Sequence, residues 1–360
     1  MKQKERNVNL EVLRVVAMFL IVAGHYIWNA VKQVMDPSVL NINKSLIGGG
    51  NYVTMELLWL IASIGVDCFV MITGYFMIER TEMRWRGILK TWVQTLFYTV
   101  SIFLIGIFTF QQPSSSDLVL KVFLPIHQEA YWFVTHYIGL LFLAPFFARL
   151  ASILTKRQYQ WLLCVLFVFC LTFLYGTVYL RNMHLGLFVF LFFTGGYIRK
   201  YSIPEWWKNH AGLVVFGVWA LLFAAGTSVN LFHYLKTGDS NFKLYATENN
   251  GPIFFLALSV FVWFVYHKPF TSRLMKWTAS LGTYTFGVYL IHQHFFINDP
   301  LWTYAANTYT MQMPMLVHCL LWTTFVFSAC ILIDMLRSRL FSVLHIDKAL
   351  DSFARKLPKL

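Results

Sequence analysis

The sequence predicts an all-α, polytopic membrane protein with about ten transmembrane helices and with both termini in the cytoplasm. Only 12% of its 360 residues are charged and 58% are hydrophobic, whereas soluble domains carry about 25% charged residues. Apolar runs near the ~20-residue length of a bilayer-spanning helix recur along the whole chain. Lys and Arg are concentrated in alternate loops, which is typical of the cytoplasmic side of a membrane protein.

Each predicted span is an apolar run between charged or turn-forming segments. The spans run over residues 8–31, 56–78, 88–110, 131–150, 159–180, 184–200, 211–231, 252–268, 278–297 and 313–337. Basic residues, Arg337 among them, precede the first span and follow the second, fourth, sixth, eighth and tenth. We therefore expect one transmembrane domain over residues 1–340 and a short basic cytoplasmic tail over residues 341–360.

Cysteine usage and charge exclude several classes of site and partner. All five cysteines fall within apolar runs and form no CxxC pair, which indicates neither a metal site nor a disulfide framework. The net charge of +13 follows from the basic loops, so it indicates contact with membrane lipids and no nucleic-acid partner.

Two ionisable residues, Arg14 and His25, lie inside the first apolar run. Eleven residues are about three helical turns, so both side chains lie on one face, about 16 Å apart. Ionisable groups in a span cost roughly 2.5–3.5 kcal/mol each and usually mark a working site. The alternative is that Arg14 pairs with Glu11 at the cytoplasmic interface, while His25 simply bonds a neighbouring helix.

The second span carries Asp67 near mid-bilayer and Gly74-Tyr75 near its cytoplasmic end. A carboxylate at that depth needs a partner, and His25 lies at a compatible depth. A carboxylate that holds an imidazole makes it a better general base, so we predict that Asp67 assists His25. Helix packing through a hydrogen bond is the alternative role for Asp67.

A basic cluster, Arg84, Arg86 and Lys90, precedes the third span. Ordinary membrane anchoring explains such a cluster. It also suits a phosphate-bearing cytosolic ligand, because Arg offers a bidentate fork and Lys a point charge.

Two further residues are candidates for a binding site. Trp132 opens the fourth span, where it either belongs to the aromatic belt or stacks on a sugar face. His292, in the ninth span, lies at a depth similar to that of His25.

Five segments of the chain resemble the acyltransferase 3 family of integral-membrane O-acyltransferases. They are LEVLR with the Arg14-to-His25 spacing, GVDCFVMITGYF, RGILK, YWFVTHYIGLLFLAPF and SLGTYTFGVYLIHQHF, in the family's order over residues 10 to 297. The sequence departs mildly from the family pattern at Glu11, Thr73, Tyr75 and Lys90, where Asp, Ser, Phe and Arg respectively are usual.

The resemblance implies transfer of an acyl group, usually acetyl, from cytosolic acyl-CoA to a hydroxyl of a surface glycan or lipid-linked sugar. In that reaction His25 is the general base or carries the acyl group, with Asp67 beside it. Arg14, Arg84, Arg86, Lys90 and Tyr75 bind the donor acetyl-CoA, while Trp132 and His292 bind the acceptor.

The same resemblance implies a multi-pass protein of the cell membrane, of bacterial plasma membrane type, without a permanently bound cofactor. A transporter or flippase of glycan intermediates, without acyl-transfer chemistry, is the alternative function, because helices with buried polar residues suit translocation equally well.

Overall fold

The computed structural model describes residues 7–31, 49–110, 115–171, 184–237, 250–309 and 313–358, and these contain helices and no β-strand. In chain order the helices are α1 Val8–His25, α2 Gly49–Ala62, α3 Gly65–Met77, α4 Trp85–Phe110, α5 Ser116–Phe123, α6 Trp132–Ile153, α7 Lys156–Cys170, α8 His184–Lys200, α9 Glu205–Asn209, α10 Ala211–Thr237, α11 Gly251–Tyr266, α12 Arg273–Leu281, α13 Thr285–His292, α14 Asn298–Asn307, α15 Met315–Val343 and α16 Ile346–Lys356. A π-helical segment, Tyr26–Val31, continues α1.

Six helices of the described chain are long and apolar enough to cross a membrane, which confirms a membrane protein. They are Val8–Ala30, Thr54–Met77, Trp85–Thr109, Trp132–Ile153, Ala211–Thr237 and Met315–Val343, and they correspond to the first four, the seventh and the tenth predicted spans. The fifth, sixth and eighth predicted spans contain shorter helices of 15, 17 and 16 residues.

The predicted ninth span is not one continuous helix. The chain there forms α12, a turn at residues 282–284, and the half-helix α13, which ends at His292. Apolar periodicity did not reveal this break, because glycine and small polar residues are also common inside membrane helices.

Helix α1 lies at the centre of the bundle, with contacts to α3, α11, α12, α13 and α15. The Asn7 side chain accepts a hydrogen bond from the Leu10 amide and caps the helix. The buried Asn9 amide donates to the Phe264 and His267 carbonyls, at 3.2 and 2.8 Å. Carbonyls at the end of a helix receive no hydrogen bond from the helix itself. The Asn9 amide therefore satisfies two such carbonyls at the end of α11.

A close helix crossing joins α3 and α8 through glycines. A Cβ atom at Gly74 would overlap the Phe192 carbonyl, and one at Gly195 would overlap the Met71 carbonyl. Small residues at such crossings allow backbones to approach within van der Waals contact. This crossing fixes α3, the helix that carries Asp67 and Tyr75.

A buried ion pair within α15 is hydrogen-bonded to side chains of α4. Asp334 accepts two hydrogen bonds from Arg337, Nε–Oδ1 at 2.8 Å and Nη2–Oδ2 at 2.9 Å, and further bonds from Gln94 and Tyr98 at 3.0 and 2.8 Å. The prediction that Arg337 belongs to a loop is wrong, since Arg337 lies within α15 and is 6% exposed. Its guanidinium stays inside because Asp334 neutralises the charge.

We expect Gly195→Ala to lower the thermal stability of the detergent-solubilised protein, because the new methyl group would overlap a backbone carbonyl that has no freedom to move. Gly217→Ala, within α10, is the matched control, since nothing lies within 4 Å of its Cβ position. Its unfolding temperature should be unchanged or slightly raised. An equal loss in both variants would contradict the role of the glycine crossing.

We expect Asp334→Asn to destabilise the protein by about 3–5 kcal/mol, because it leaves the Arg337 guanidinium buried without a counter-charge. The double variant Asp334→Asn/Arg337→Gln should recover part of that loss in thermal unfolding. Arg339→Gln is the control on the exposed face of α15, with an expected change within about 0.5 kcal/mol. The idea fails if the double variant is less stable than Asp334→Asn alone.

Candidate active site

Two histidines meet where α1 and α13 end. His25 Nδ1 and His292 Nε2 are 2.9 Å apart, and the two ring centroids are 5.1 Å apart. His292 is completely buried, whereas His25 is half-buried. The structure therefore brings together two of the sequence-predicted site residues, and it joins them by a direct hydrogen bond.

The hydrogen bonds define the tautomer of each ring. His292 Nδ1 lies 2.6 Å from the Val288 carbonyl, which only accepts, so this nitrogen carries the proton. Neutral His292 therefore accepts at Nε2, and His25 Nδ1 must donate to it. The lone pair of His25 is consequently on Nε2, which is the arrangement of an oriented general base.

Irregular backbone surrounds this pair on both sides. The π-helical segment Tyr26–Val31 begins immediately after His25, and the side-chain amide of Asn29 donates to the His25 carbonyl at 3.0 Å. Helix α13 ends at His292 itself. Such π segments are common at functional sites, because they redirect a side chain at some cost in regular hydrogen bonding.

Three contacts hold α13 in place. The Tyr131 hydroxyl donates to the Leu290 carbonyl at 2.9 Å. Trp302, which is completely buried, packs edge-on against His292 with 6.3 Å between ring centroids. At Gly287 a Cβ atom would overlap Asp334, so the buried ion pair of α15 packs directly on this half-helix. Sequence analysis missed Tyr131, Trp302 and Asp334, because their role depends on contacts between distant segments.

A second hydrogen-bond chain flanks the histidine pair. Tyr26 bonds His318 Nδ1 at 2.5 Å, and Thr308 bonds His318 Nε2 at 3.2 Å. Tyr26 also packs edge-on against Trp302, with 6.2 Å between ring centroids. This chain anchors the π-helical segment to α14 and α15.

Arg14 lies about three turns before His25 on α1. Its Nη1 donates to both carboxylate oxygens of Glu11, at 3.0 and 2.9 Å. This is the intrahelical Glu11–Arg14 pair that the sequence predicted. The guanidinium carbon also lies 5.9 Å from the centroid of the Phe69 ring. Arg14 is thus half-buried, with one face on Glu11 and another on an aromatic ring.

A column of aromatic rings joins Arg14 to the histidine pair. Phe69 packs against Phe133 at 5.7 Å, Phe133 against Tyr289 at 5.4 Å, and Tyr289 against His292 at 6.1 Å between centroids. Tyr137, stacked on Phe133 at 5.4 Å, forms a 3.1 Å hydrogen bond with Thr73 of the GYF-containing segment. The two ends of the predicted site therefore belong to one packed unit.

Asp67 is completely buried in the first turn of α3. A carboxylate there is stabilised by the positive end of the helix dipole. The hydrogen-bond partner of His25 Nδ1 is His292, an imidazole that we had not predicted at this nitrogen. A catalytic role for Asp67 stays a prediction.

The three residues of the predicted basic cluster have different surroundings. Arg86 Nε is 2.5 Å from Asp351, and Lys90 Nζ is 3.6 Å from Asp347, both on α16. Arg84 is exposed. Helix α16 thus covers part of the basic surface that we predicted for donor binding.

Tyr75 lies near a cation that sequence analysis did not select. The Arg199 guanidinium carbon is 5.2 Å from the Tyr75 ring centroid, and Arg199 Nε is 3.2 Å from Glu79. Arg199 and Arg84 thus carry positive charge at the end of α8 and the start of α4. The periodicity of α8 gave no signal for this contact, which depends on the α3–α8 crossing.

Trp132 opens α6, as predicted, and is half-buried. Its ring lies 4.6 Å from the His184 ring and 6.4 Å from the His136 ring, between centroids. It belongs to an aromatic cluster at the start of α6 and α8. A role in acceptor binding stays a prediction.

Comparison with known proteins gives one match. The sequence model of a family described as an acyltransferase domain matches residues 7–333, which include both histidines, Arg14 and the basic cluster. No curated protein and no solved structure matches the chain. Because the match covers nearly the whole chain, the protein belongs to the acyltransferase 3 family.

Proposed function

We propose that this membrane acyltransferase moves an acetyl group from cytosolic acetyl-CoA to a hydroxyl of a surface polysaccharide or lipid-linked sugar. The observation that carries the proposal is the His25–His292 pair, which leaves a lone pair on His25 Nε2. The donor is a substrate, and the proposal involves no permanently bound cofactor.

The proposed reaction is direct transfer of the acetyl group from donor to acceptor. The acceptor hydroxyl oxygen attacks the thioester carbonyl carbon while His25 Nε2 takes the hydroxyl proton. The C–S bond then breaks, and the proton passes from His25 to the departing CoA thiolate. The products are the acetyl ester and free CoA, and His25 returns to its starting state.

His292 is a positioning residue in this mechanism. It fixes the ring of His25 and its tautomer, and it delocalises the positive charge that develops when His25 takes a proton. Because the Val288 carbonyl in turn accepts from His292 Nδ1, His292 Nε2 remains the acceptor toward His25. Asp67 is proposed to act on this site electrostatically.

The donor is proposed to enter at the Arg14 end. CoA carries its phosphates at one end and the thioester at the tip of a long, narrow arm. Arg14, Arg84 and Tyr75 with its neighbour Arg199 would hold the phosphates and adenine, using charge and ring stacking. The aromatic column leads from there to His25, about 16 Å along α1.

Arg86 and Lys90 contact the donor only when their ion pairs with Asp351 and Asp347 of α16 are broken. The four-residue spacing of Asp347 and Asp351 matches that of Lys90 and Arg86, and the two helices run antiparallel. Both ion pairs are solvent-exposed, where such pairs contribute at most about 1 kcal/mol. Donor phosphates would therefore compete with these carboxylates at low cost.

The proposed topology has about ten spans with both termini in the cytoplasm of a bacterial cell. The concentration of basic residues in alternate loops supports it. The docking of α16 on the start of α4 also supports it, because the C-terminal segment then lies on the side of Arg84. Trp132 would face the opposite side and stack on the acceptor sugar.

We expect His25→Ala to lower kcat for acetyl transfer by roughly 10²–10⁴-fold, because the general base is lost. The measurement uses radiolabelled acetyl-CoA and glycan acceptors with protein in lipid vesicles. His210→Ala, at an exposed position before α10, is the control and should retain full activity. Equal transfer by wild type and His25→Ala would exclude the catalytic role.

Two further arms separate the alternatives. Radiolabel that stays on the protein without acceptor, and is lost in His25→Ala, would replace direct transfer by an acyl-histidine intermediate. Movement of lipid-linked sugar across the vesicle membrane without binding of acetyl-CoA would favour the transporter.

We expect Asp347→Asn/Asp351→Asn to lower the KM for acetyl-CoA and leave kcat unchanged, because Arg86 and Lys90 are released to the donor. Arg86→Gln/Lys90→Gln should raise the same KM, by roughly fivefold for each ~1 kcal/mol of lost charge interaction. Lys348→Gln/Lys356→Gln, on exposed positions of α16, is the control. A KM that responds to neither pair of variants would leave these charges with a purely structural role.

A further inference from the structure

An apolar groove lies on the bundle surface, away from the helix α1 that carries His25. Residues of α7, α8, α9 and α11 line a volume of about 460 Å³, within the usual range of roughly 300–1,000 Å³ for small-molecule sites. Its walls are almost entirely hydrocarbon, with Phe167, Phe254 and Leu258 among them. The Thr194 hydroxyl donates to the Phe190 carbonyl at 2.9 Å and so does not change that character.

The groove is open to the bilayer. Val168 and Phe255, which line it, are 65% and 44% exposed on the surface of a membrane-spanning bundle. An occupant therefore enters from the hydrocarbon phase of the membrane, and hydrocarbon is the chemistry that the walls match.

Two hydrogen-bond donors lie at one end of this apolar lining. Trp207 lines the groove, and its buried Nε1–H has no hydrogen-bond partner among the residues that the structure describes. Tyr197 also lines it, and its oxygen accepts from Gln160 at 2.8 Å, which leaves its own proton for another acceptor. Trp206 beside them is 65% exposed, as is typical of the aromatic belt at a membrane interface.

Lysines surround the same end. Lys156 and Lys200 lie 5.9 and 5.6 Å from the centroid of Tyr201, which packs on Tyr197 at 5.0 Å. Lys208, next to Trp207, lies 5.1 Å from the Tyr266 ring, and its Nζ donates to Glu205 at 2.5 Å and to Ser202 at 2.6 Å, so a phosphate there competes with the Glu205 carboxylate. The groove therefore combines a hydrocarbon wall, free donors at interface depth and positive charge beyond them.

We propose that this groove binds one acyl chain of an anionic phospholipid. The chain occupies the apolar walls, the ester carbonyl accepts from Trp207 and Tyr197, and the phosphate lies among Lys156, Lys200 and Lys208. The order of these three layers, from hydrocarbon through donors to cations, is the order of a phospholipid from its tail to its head group. The site is independent of acetyl transfer.

The test is native mass spectrometry of the full chain released from nanodiscs that contain phosphatidylglycerol and phosphatidylcholine. The wild type should retain one phosphatidylglycerol molecule in preference to phosphatidylcholine. Cys164→Trp and Leu258→Trp, which fill the groove from two sides, should weaken retention by roughly tenfold or more. Cys164 is an exposed lining residue, so its replacement buries nothing new in the core.

Matched variants distinguish the contribution of the lipid head group to binding from that of the acyl chain. Lys156→Gln and Lys208→Gln should each reduce the preference for phosphatidylglycerol roughly fivefold, while Lys276→Gln, which like Lys156 is at an exposed position, should not. Phe108→Trp, at an 81% exposed site on α4, controls for a bulky ring on the lipid-facing surface. Equal retention in wild type and both groove-filling variants, with unchanged thermal unfolding, would overturn the proposal, as would retention without any preference for the anionic lipid.

Discussion

A polar side chain inside a membrane must find its partner within the protein, because no water is available there to replace one. That constraint organises this molecule. His25 is satisfied by His292, His292 by the Val288 carbonyl, and Asp334 by Arg337, Gln94 and Tyr98. The His25–His292 bond joins α1 to α13, and the Gln94 and Tyr98 bonds to Asp334 join α4 to α15, so the polar groups that cost most to bury also determine how the bundle closes.

The two polar centres are physically linked through the half-helix α13. Gly287 on α13 leaves just enough space for Asp334, and His292 ends the same helix one and a half turns later. The buried ion pair thus supports the helix that orients the proposed general base. Such a pair contributes little net stability compared with an apolar replacement, and its value lies in specifying one arrangement.

The proposed donor end follows a different physical rule. Arg86, Lys90, Asp347 and Asp351 are solvent-exposed, where water and salt screen charge, so their pairing is weak and exchangeable. Phosphates that carry several charges compete well at such a surface. The lysines around the apolar groove are also near the interface, and the same reasoning applies to lipid phosphates there. Ion pairs at the surface are therefore weak because water competes with them. In the interior, where water is absent, each polar group needs a partner.

The sequence by itself determined the membrane class, the six long spans, the Glu11–Arg14 pair and the family, because hydropathy, helical spacing and short motifs are local properties. It selected His25 and His292 but not their bond. Only the tertiary structure decided that His25 Nδ1 is bonded to His292, that Arg337 is buried, and that the ninth predicted span breaks into two helices. These outcomes depend on which residues meet across the bundle, where a glycine such as Gly287 admits a side chain from a helix about fifty residues away.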